Sequence, residues 1–178
     1  KEEEQSATAV FMTYTYDSMN VPISPNGFLT LDRKHHSQFM KRLRKELQKE
    51  GYRVKMKYYV VGEYGGQTER PHYHAILFNL PEKYIVNEHK IEKLWQKGRI
   101  QADEVTPRSI AYVCGYVNKQ KRFNNLGERD DRVPEFSFMS KGLGLNYLTP
   151  QQVKSMKQKL KPFLTVEDGQ KMPLPRYY

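Results

Sequence analysis

The chain has 178 residues, enough for one hydrophobic core with a trailing segment but too few for two full domains. Its 30 Lys and Arg against 20 Asp and Glu give a formal charge of +10, which favours a polyanionic partner, either nucleic acid or an anionic membrane surface. No run reaches the roughly 18 apolar residues of a membrane span, the acidic N-terminus is unlike a secretory signal, and the one cysteine excludes an internal disulfide framework. We therefore expect a soluble, intracellular protein and, because it begins with Lys1 rather than Met, part of a longer one.

The N-terminal part of the chain predicts a strand followed by a helix. Residues 10–16 are β-branched and aromatic with near alternation, which is typical of a strand. In residues 32–49, Phe39, Leu43 and Leu47 recur every four positions, so this segment is predicted to be an amphipathic helix. Its polar surroundings place the histidines at 35 and 36 on the surface, as we also expect for His89.

The middle of the chain predicts a hairpin and a second helix–strand–helix run. Residues 53–63 and 72–80 are β-rich and are separated by two glycines, which indicates an antiparallel hairpin. The second run is apolar on both faces, as in a central strand covered on both sides. Residues 87–96 predict a helix and 99–105 a strand. Thr106 as N-cap and Pro107 then begin a helix that runs to about residue 121.

The predicted order β-α-β-β-α-β-α is that of an α+β fold. It corresponds to the split βαβ, ferredoxin-like arrangement, in which helices pack on an antiparallel sheet. Beyond residue 122 the sequence is irregular, apart from a glycine-rich patch at 142–144, a short helix near 151–160 and a proline-containing tail. We expect one domain over residues 1–148, with residues 149–178 packed on it.

A metal site is predicted in the hairpin. His72 and His74 flank one residue in the second strand, so both imidazoles project from the same face. Glu63 ends the neighbouring strand and joins that face if it pairs opposite residue 72 or 74. Two imidazoles and one carboxylate leave open positions on Mg²⁺, Mn²⁺ or Zn²⁺ for a phosphate oxygen. The alternative is a pair of core histidines beside a surface glutamate.

A nucleophile is predicted in the following helix. Tyr112, Tyr116 and Lys119 are spaced four and three residues apart, so they share one helical face. Only about one tyrosine in a thousand is a phenolate at neutral pH, so attack on phosphate needs a cation or a lysine nearby. The alternative is two packing tyrosines. Gly115 within the helix suggests the close approach of another backbone, whereas Cys114 reads as a small hydrophobe.

These segments resemble the HUH endonucleases. RPHYHAILF at residues 70–78 is similar to their His-hydrophobe-His motif, and GEYG at 62–65 to the strand that supplies an acidic ligand. YVCGYVNK at 112–119 resembles their two-tyrosine helix, and FMTYTYD at 11–17 their first strand motif. Trp95 followed by Gly98, and the segment FMSKGLGLNYL that ends at residue 148, resemble the replication initiators of Microviridae, small single-stranded DNA bacteriophages.

The resemblance implies an endonuclease that nicks and rejoins single-stranded DNA at a replication origin and so starts rolling-circle replication. It implies Mg²⁺ or Mn²⁺ held by His72, His74 and Glu63. The resemblance further makes Tyr116 the first nucleophile, which forms a 5′-phosphotyrosine, Tyr112 its partner and Lys119 the supporting cation. With no GxxxxGK[ST] motif present, unwinding would fall to a host helicase, alongside a host polymerase, in the cytoplasm of an infected bacterium.

Two other readings stay open at this point. A transposase or plasmid relaxase of the same superfamily would carry the same motifs. A non-catalytic module that binds single-stranded nucleic acid would also suit 13 Tyr and 8 Phe among many cations, because bases stack on rings while cations contact phosphates. Such modules place aromatic residues, rather than a pair of histidines, on their central strands.

Overall fold

The computed structural model describes residues 7–115, 129–144, 149–158, 163–165 and 171–173. In chain order the elements are β1 (Ala9–Thr15), α1 (Arg33–Lys49), β2 (Lys57–Tyr64), β3 (Pro71–Phe78), α2 (Glu82–Ile85), α3 (Glu88–Trp95), β4 (Ile100–Glu104), α4 (Pro107–Gly115), β5 (Phe136–Met139), α5 (Pro150–Gln158), β6 (Phe163–Thr165) and β7 (Lys171–Pro173). The predicted order is confirmed from β1 to α4, with the four-residue α2 as an unpredicted addition.

Five antiparallel strands form the main sheet in the order β4-β1-β3-β2-β5. The first four strands have the spatial order of the ferredoxin-like fold, so the predicted α+β class is confirmed. β3 is central and buried along most of its length, as its two apolar faces predict. β6 and β7 form a separate two-stranded sheet. The proposed boundary at residue 148 stays a prediction.

One face of the sheet packs under α1 and α3 and forms the larger core. Tyr14 and Tyr73 from adjacent strands meet Phe39 of α1 and Trp95 of α3, and all four are completely buried. Burying a side chain of this size stabilises the fold by about 2–3 kcal/mol. α1 begins where Asp32 accepts a hydrogen bond from the amide of Lys34 at 2.7 Å.

The opposite face packs against α4. Val113 of α4 is fully buried in a smaller cluster with Tyr59, Val61 and Ile76. The predicted N-cap at Thr106 is confirmed, because its Oγ1 accepts a hydrogen bond from the amide of Ser109 at 3.1 Å. The helix is described as far as Gly115, so its predicted continuation to residue 121 lies outside the described residues.

The junction between α3 and β4 brings the chain back against the end of β1. Gly98 has a φ of +146°, and a Cβ atom there would lie 2.4 Å from the carbonyl oxygen of Thr15. Trp95 donates a hydrogen bond from its indole nitrogen to the same oxygen at 2.9 Å. The spacing of Trp95 and Gly98 therefore has a structural reason, since both residues fix the end of β1.

The structure differs from the sequence predictions at several residues. The surface assignment of His36 is wrong: this residue is completely buried, because it lies three and four residues before Phe39 and Met40 and so belongs to the apolar stripe of α1. β2 begins at Lys57, four residues later than predicted. A Cβ at Gly115 would meet no atom of the described residues within 4 Å, so no backbone among them explains that glycine.

β5 is the element that sequence reasoning missed within the segment predicted to be irregular. It pairs with the outer edge of β2, where Gly62 faces Phe136. A Cβ at residue 62 would lie 2.8 Å from the Phe136 ring, so the glycine makes room for this strand. No helix in the described part of the chain is both long and apolar enough to cross a membrane.

Candidate metal centre

The register of the hairpin places the three predicted metal ligands on one face. Glu63 of β2 pairs directly opposite His72 of β3, and His74 follows two residues along the same strand. Because side chains alternate along a strand, Glu63, His72 and His74 all point toward α4. The condition on which the predicted site depended is therefore met.

One carboxylate oxygen lies at the centre of this group. Oε1 of Glu63 is 2.8 Å from Nε2 of His72 and 3.0 Å from Nε2 of His74. The side chains of Glu63, His72 and His74 are 3%, 19% and 13% exposed, so the alternative of a surface glutamate is wrong. The ligand atoms of the three residues all lie within 4.8 Å of one another.

This donor set fits a divalent cation. Ligands at about 2.1 Å in octahedral geometry lie about 3 Å from their neighbours, close to the spacing of these nitrogen and oxygen atoms. A mixed set of imidazoles and carboxylate suits Mn²⁺ and Zn²⁺ and accepts Mg²⁺. Three protein ligands on one side leave the remaining coordination positions for water or substrate.

Each histidine is held through its second ring nitrogen. Nδ1 of His72 lies 3.0 Å from the carbonyl oxygen of Arg70, and Nδ1 of His74 lies 3.0 Å from Oγ1 of Thr13 on β1. The ring of Phe11 stacks on His74 with centroids 5.3 Å apart and planes 10° apart. Sequence reasoning missed Thr13 and Phe11, because only the pairing of β1 with β3 puts them beside the histidines.

The electrostatics of His72 are dominated by its burial and by Glu63. Burial alone would lower the pKa of His72, but the hydrogen bonds to Glu63 and to the Arg70 carbonyl, with the negative charge of Glu63, raise it above its usual value. Metal ligation requires an unprotonated ring nitrogen, so a cation competes with a proton at this position.

Tyr112 of α4 reaches the same carboxylate. Its hydroxyl donates a hydrogen bond to Oε1 of Glu63 at 2.8 Å, and its ring meets His74 edge-on with centroids 5.2 Å apart. The neighbouring Val113 anchors α4 to the sheet and so sets how deeply Tyr112 reaches. Tyr116 and Lys119 lie outside the described residues, so the predicted stripe of two tyrosines and a lysine stays a prediction.

Comparison with known proteins bears on what this site belongs to. Residues 9–121, more than half of the chain, match the sequence profile of the replication-associated protein ORF2 family. The chain belongs to this family. The matched segment starts at β1 and contains both histidines, Glu63 and Tyr112. The resemblance to a phage replication initiator, predicted from the motifs, is confirmed.

Three relatives of this family member come from viruses of bacteria. The chain is 30% identical over 184 residues to the replication-associated protein ORF2 of Spiroplasma virus 4, and the match covers 94% of this chain and 56% of that protein. Identity is 27% to the replication-associated protein VP4 of Bdellovibrio phage phiMH2K, with 95% and 56% covered. It is 30% to the replication-associated protein ORF4 of Chlamydia phage 1, with 92% and 43% covered. The chain therefore spans about half the length of the curated relatives it matches. No solved structure shows a significant match to it.

Proposed function

We propose that this family member is a metal-dependent, sequence-specific endonuclease that nicks and rejoins single-stranded DNA to initiate rolling-circle replication. One observation carries the proposal. Two imidazole nitrogens and a tyrosine hydroxyl lie within 3.0 Å of one buried carboxylate oxygen of Glu63. A metal-binding triad in contact with a phenol is the equipment that phosphoryl transfer to tyrosine requires, and the relatives' names supply the replication context.

His72, His74 and Glu63 would hold Mg²⁺ or Mn²⁺. A bound cation of this kind withdraws negative charge from a scissile phosphate and orients it. The protein's own contribution is to fix the ligands before the substrate arrives. The Arg70 carbonyl and the Thr13 hydroxyl restrain the two imidazoles, and burial between the sheet and α4 limits access of bulk water.

The tyrosines would supply the attacking oxygen. A phenol oxygen forms a bond to phosphorus, the bond from phosphorus to the 3′ oxygen breaks, and the phenol proton is transferred so that a 3′-hydroxyl leaves. The DNA then carries a 5′-phosphotyrosine and a free 3′ end that can prime synthesis. We propose Tyr116 as the first nucleophile, with Lys119 stabilising its charge, and Tyr112 as the residue that attacks in the second transfer.

Single-stranded origin DNA is the proposed substrate, and a host helicase and polymerase are the proposed partners. The net charge of +10 lowers the free energy of binding to any polyanion. Base-specific contacts have to add to this charge effect, because phosphate contacts do not distinguish sequences. Relatives encoded by phages point to the interior of an infected host cell as the place of action.

A cleavage assay tests the proposal. Labelled single-stranded oligonucleotides, tiled across the genome that encodes this chain, are incubated with Mn²⁺ or with EDTA and separated on denaturing gels. We expect one tile to give a protease-sensitive covalent adduct that disappears in EDTA. Binding of the tiles without an adduct on any of them would contradict the proposal and favour a non-catalytic binding module. A nick without rejoining would favour another branch of the superfamily.

A further inference from the structure

The two histidines of the triad differ in the partner of their second nitrogen. Nδ1 of His72 faces the carbonyl oxygen of Arg70 at 3.0 Å, and a carbonyl can only accept a hydrogen bond. Nδ1 of His74 faces the hydroxyl of Thr13 at 3.0 Å, and a hydroxyl can either accept or donate. The partner of His72 is backbone, whereas the partner of His74 is a side chain that substitution can remove.

Thr13 is fixed in place by the sheet. It pairs directly opposite His74 in the antiparallel register of β1 and β3, and both side chains project toward α4. Phe11 stacks on one face of the His74 ring and Tyr112 meets that ring edge-on, so ring contacts define the plane of the imidazole. The Thr13 hydroxyl adds the polar contact that distinguishes Nδ1 from Nε2.

The hydroxyl is suited to both tautomers of His74. Nε2 lies 3.0 Å from a carboxylate oxygen of Glu63, which can only accept, so in this arrangement Nε2 carries the proton and Nδ1 accepts from Thr13. With Nε2 as a metal ligand, the ring proton must instead be on Nδ1. Rotation of the Thr13 hydroxyl then presents a lone pair to that proton, so neither arrangement loses the hydrogen bond.

We propose that Thr13 is a positioning residue of the metal centre, which directs Nε2 of His74 at the cation and accepts the Nδ1 proton when the cation is bound. The inference rests on the proposed role of the triad as a metal site. It assigns a function to the first strand, which sequence analysis treated only as part of the sheet. Loss of such a hydrogen-bonding partner weakens metal binding by about 10–100-fold in well-studied sites.

Three variants isolate the hydroxyl. Thr13→Val keeps the shape and removes the hydroxyl, and Thr13→Ser keeps the hydroxyl and removes the methyl group. Thr15→Val is the matched control, because Thr15 lies on the same strand and face but its hydroxyl donates to the Arg99 carbonyl at 3.3 Å and contacts no histidine nitrogen of the described residues. Mn²⁺ dissociation constants are measured by electron paramagnetic resonance, with unfolding midpoints in EDTA recorded for every variant.

We expect Thr13→Val to weaken Mn²⁺ binding by about 10–100-fold, while Thr13→Ser and Thr15→Val remain within a few-fold of the wild type. Unchanged Mn²⁺ affinity in Thr13→Val, or equal losses in all three variants, would overturn the proposal. His72→Ala is titrated in parallel. If the wild type does not bind Mn²⁺, or binds it no better than His72→Ala, the metal site itself fails, which is a different result from failure of Thr13.

A measurement on the wild type does not depend on the folding of any variant. Nitrogen-15 NMR spectra distinguish the two tautomers of His74, and Mg²⁺ is diamagnetic, so spectra can be recorded with and without it. We expect the proton to be on Nε2 before Mg²⁺ is added and on Nδ1 afterwards. Retention of the Nε2 proton in the Mg²⁺-saturated protein would overturn the proposal.

Discussion

The hydroxyl of Tyr112 donates a hydrogen bond of 2.8 Å to Oε1 of Glu63, so a tyrosine that is 43% exposed reaches a carboxylate that is 2% exposed. This contact joins α4 to the hairpin of β2 and β3. The tyrosine helix and the metal ligands, which the sequence presents as two separate motifs about 40 residues apart, therefore form one site.

The two tyrosines are predicted to be unequal. Tyr116→Phe removes the proposed attacking oxygen and little else, so we expect most of the first covalent adduct to be lost. Tyr112→Phe should keep the first nick but impair the second transfer, in which a free tyrosine attacks while its neighbour is occupied. Denaturing gels measure the adduct, and formation of the rejoined strand measures the second step.

Tyr52→Phe serves as the control for these variants, because Tyr52 lies beside Lys83 and away from the triad. Equal adduct from the two single variants, with loss only in the double variant, would show that the tyrosines are interchangeable. Adduct that survives in the double variant would remove the tyrosine mechanism.

Replacing either triad histidine should separate cleavage from binding. We expect His72→Ala or His74→Ala to reduce adduct formation by at least about 100-fold, more than loss of an outer hydrogen-bonding partner causes. Binding of single-stranded DNA should change little, since it depends on the positive surface. Gel-shift and cleavage assays are run in parallel, with the exposed His89→Ala as control. Full cleavage by the double variant His72→Ala/His74→Ala would contradict a metal role for both.

Glu63 can be tested by comparing two substitutions. Glu63→Gln retains an oxygen that can ligate a cation and accept from Tyr112, whereas Glu63→Ala retains neither. We therefore expect Mn²⁺ affinity to fall in the order wild type, Glu63→Gln, Glu63→Ala, as measured by titration calorimetry. If neither substitution changes the dependence of cleavage on Mn²⁺, Glu63 is not a ligand.

The sequence predicts much of this site because alternation along strands is a local rule. It places His72 and His74 on one face without any knowledge of the fold, and Glu63 follows from the hairpin alone. Thr13 could not be found in this way. Its contact with His74 joins strands 61 residues apart, and only the order of strands in the sheet brings them together.

Elements with weak local signals escape sequence analysis for a related reason. β5 has only four residues and exists because Gly62 leaves space for Phe136 on the neighbouring strand. The polarity of His36 predicts a surface position, although its place in the helix repeat puts it on the buried stripe. Periodicity is here the better guide to burial than residue type.

His36 makes stability depend on pH. Its ring stacks on Tyr14, and neither ring nitrogen has a hydrogen-bonding partner among the described residues. Burial, with a contribution from Arg44, lowers the pKa of His36 to about 3. As pH falls below about 6.5 the unfolded chain binds this proton first, so His36 should cost on the order of 2 kcal/mol of unfolding free energy between pH 6.5 and 5.

His36→Phe should remove that part of the pH dependence. Phenylalanine keeps the aromatic contact and has no nitrogen to bury, so we expect equal or greater stability than the wild type at pH 7 and a larger advantage at pH 5. Urea unfolding at the two pH values, in EDTA, measures the difference between the proteins. An identical loss of stability in both would show that His36 does not titrate on unfolding.

Gly98 should tolerate no side chain. The Cβ of Gly98→Ala would lie 2.4 Å from the Thr15 carbonyl oxygen and 2.5 Å from the Asp17 amide nitrogen, at a φ of +146° that alanine rarely adopts. We expect a loss of roughly 2–5 kcal/mol in unfolding free energy. Gly66→Ala, where no described atom lies within 4 Å, is the control and should change stability by less than about 1 kcal/mol. Equal unfolding free energies for the two variants would contradict this account.

Trp95 is the only tryptophan in the chain, and it is completely buried among Tyr14, Tyr16 and Phe39. That position lies on the face of the sheet opposite the triad, so its fluorescence samples the large core rather than the metal centre. Its emission should shift to longer wavelength when the domain unfolds and stay constant when a cation or DNA occupies the other face. The fold thus contains an intrinsic optical probe that separates loss of structure from loss of binding in each of these variants.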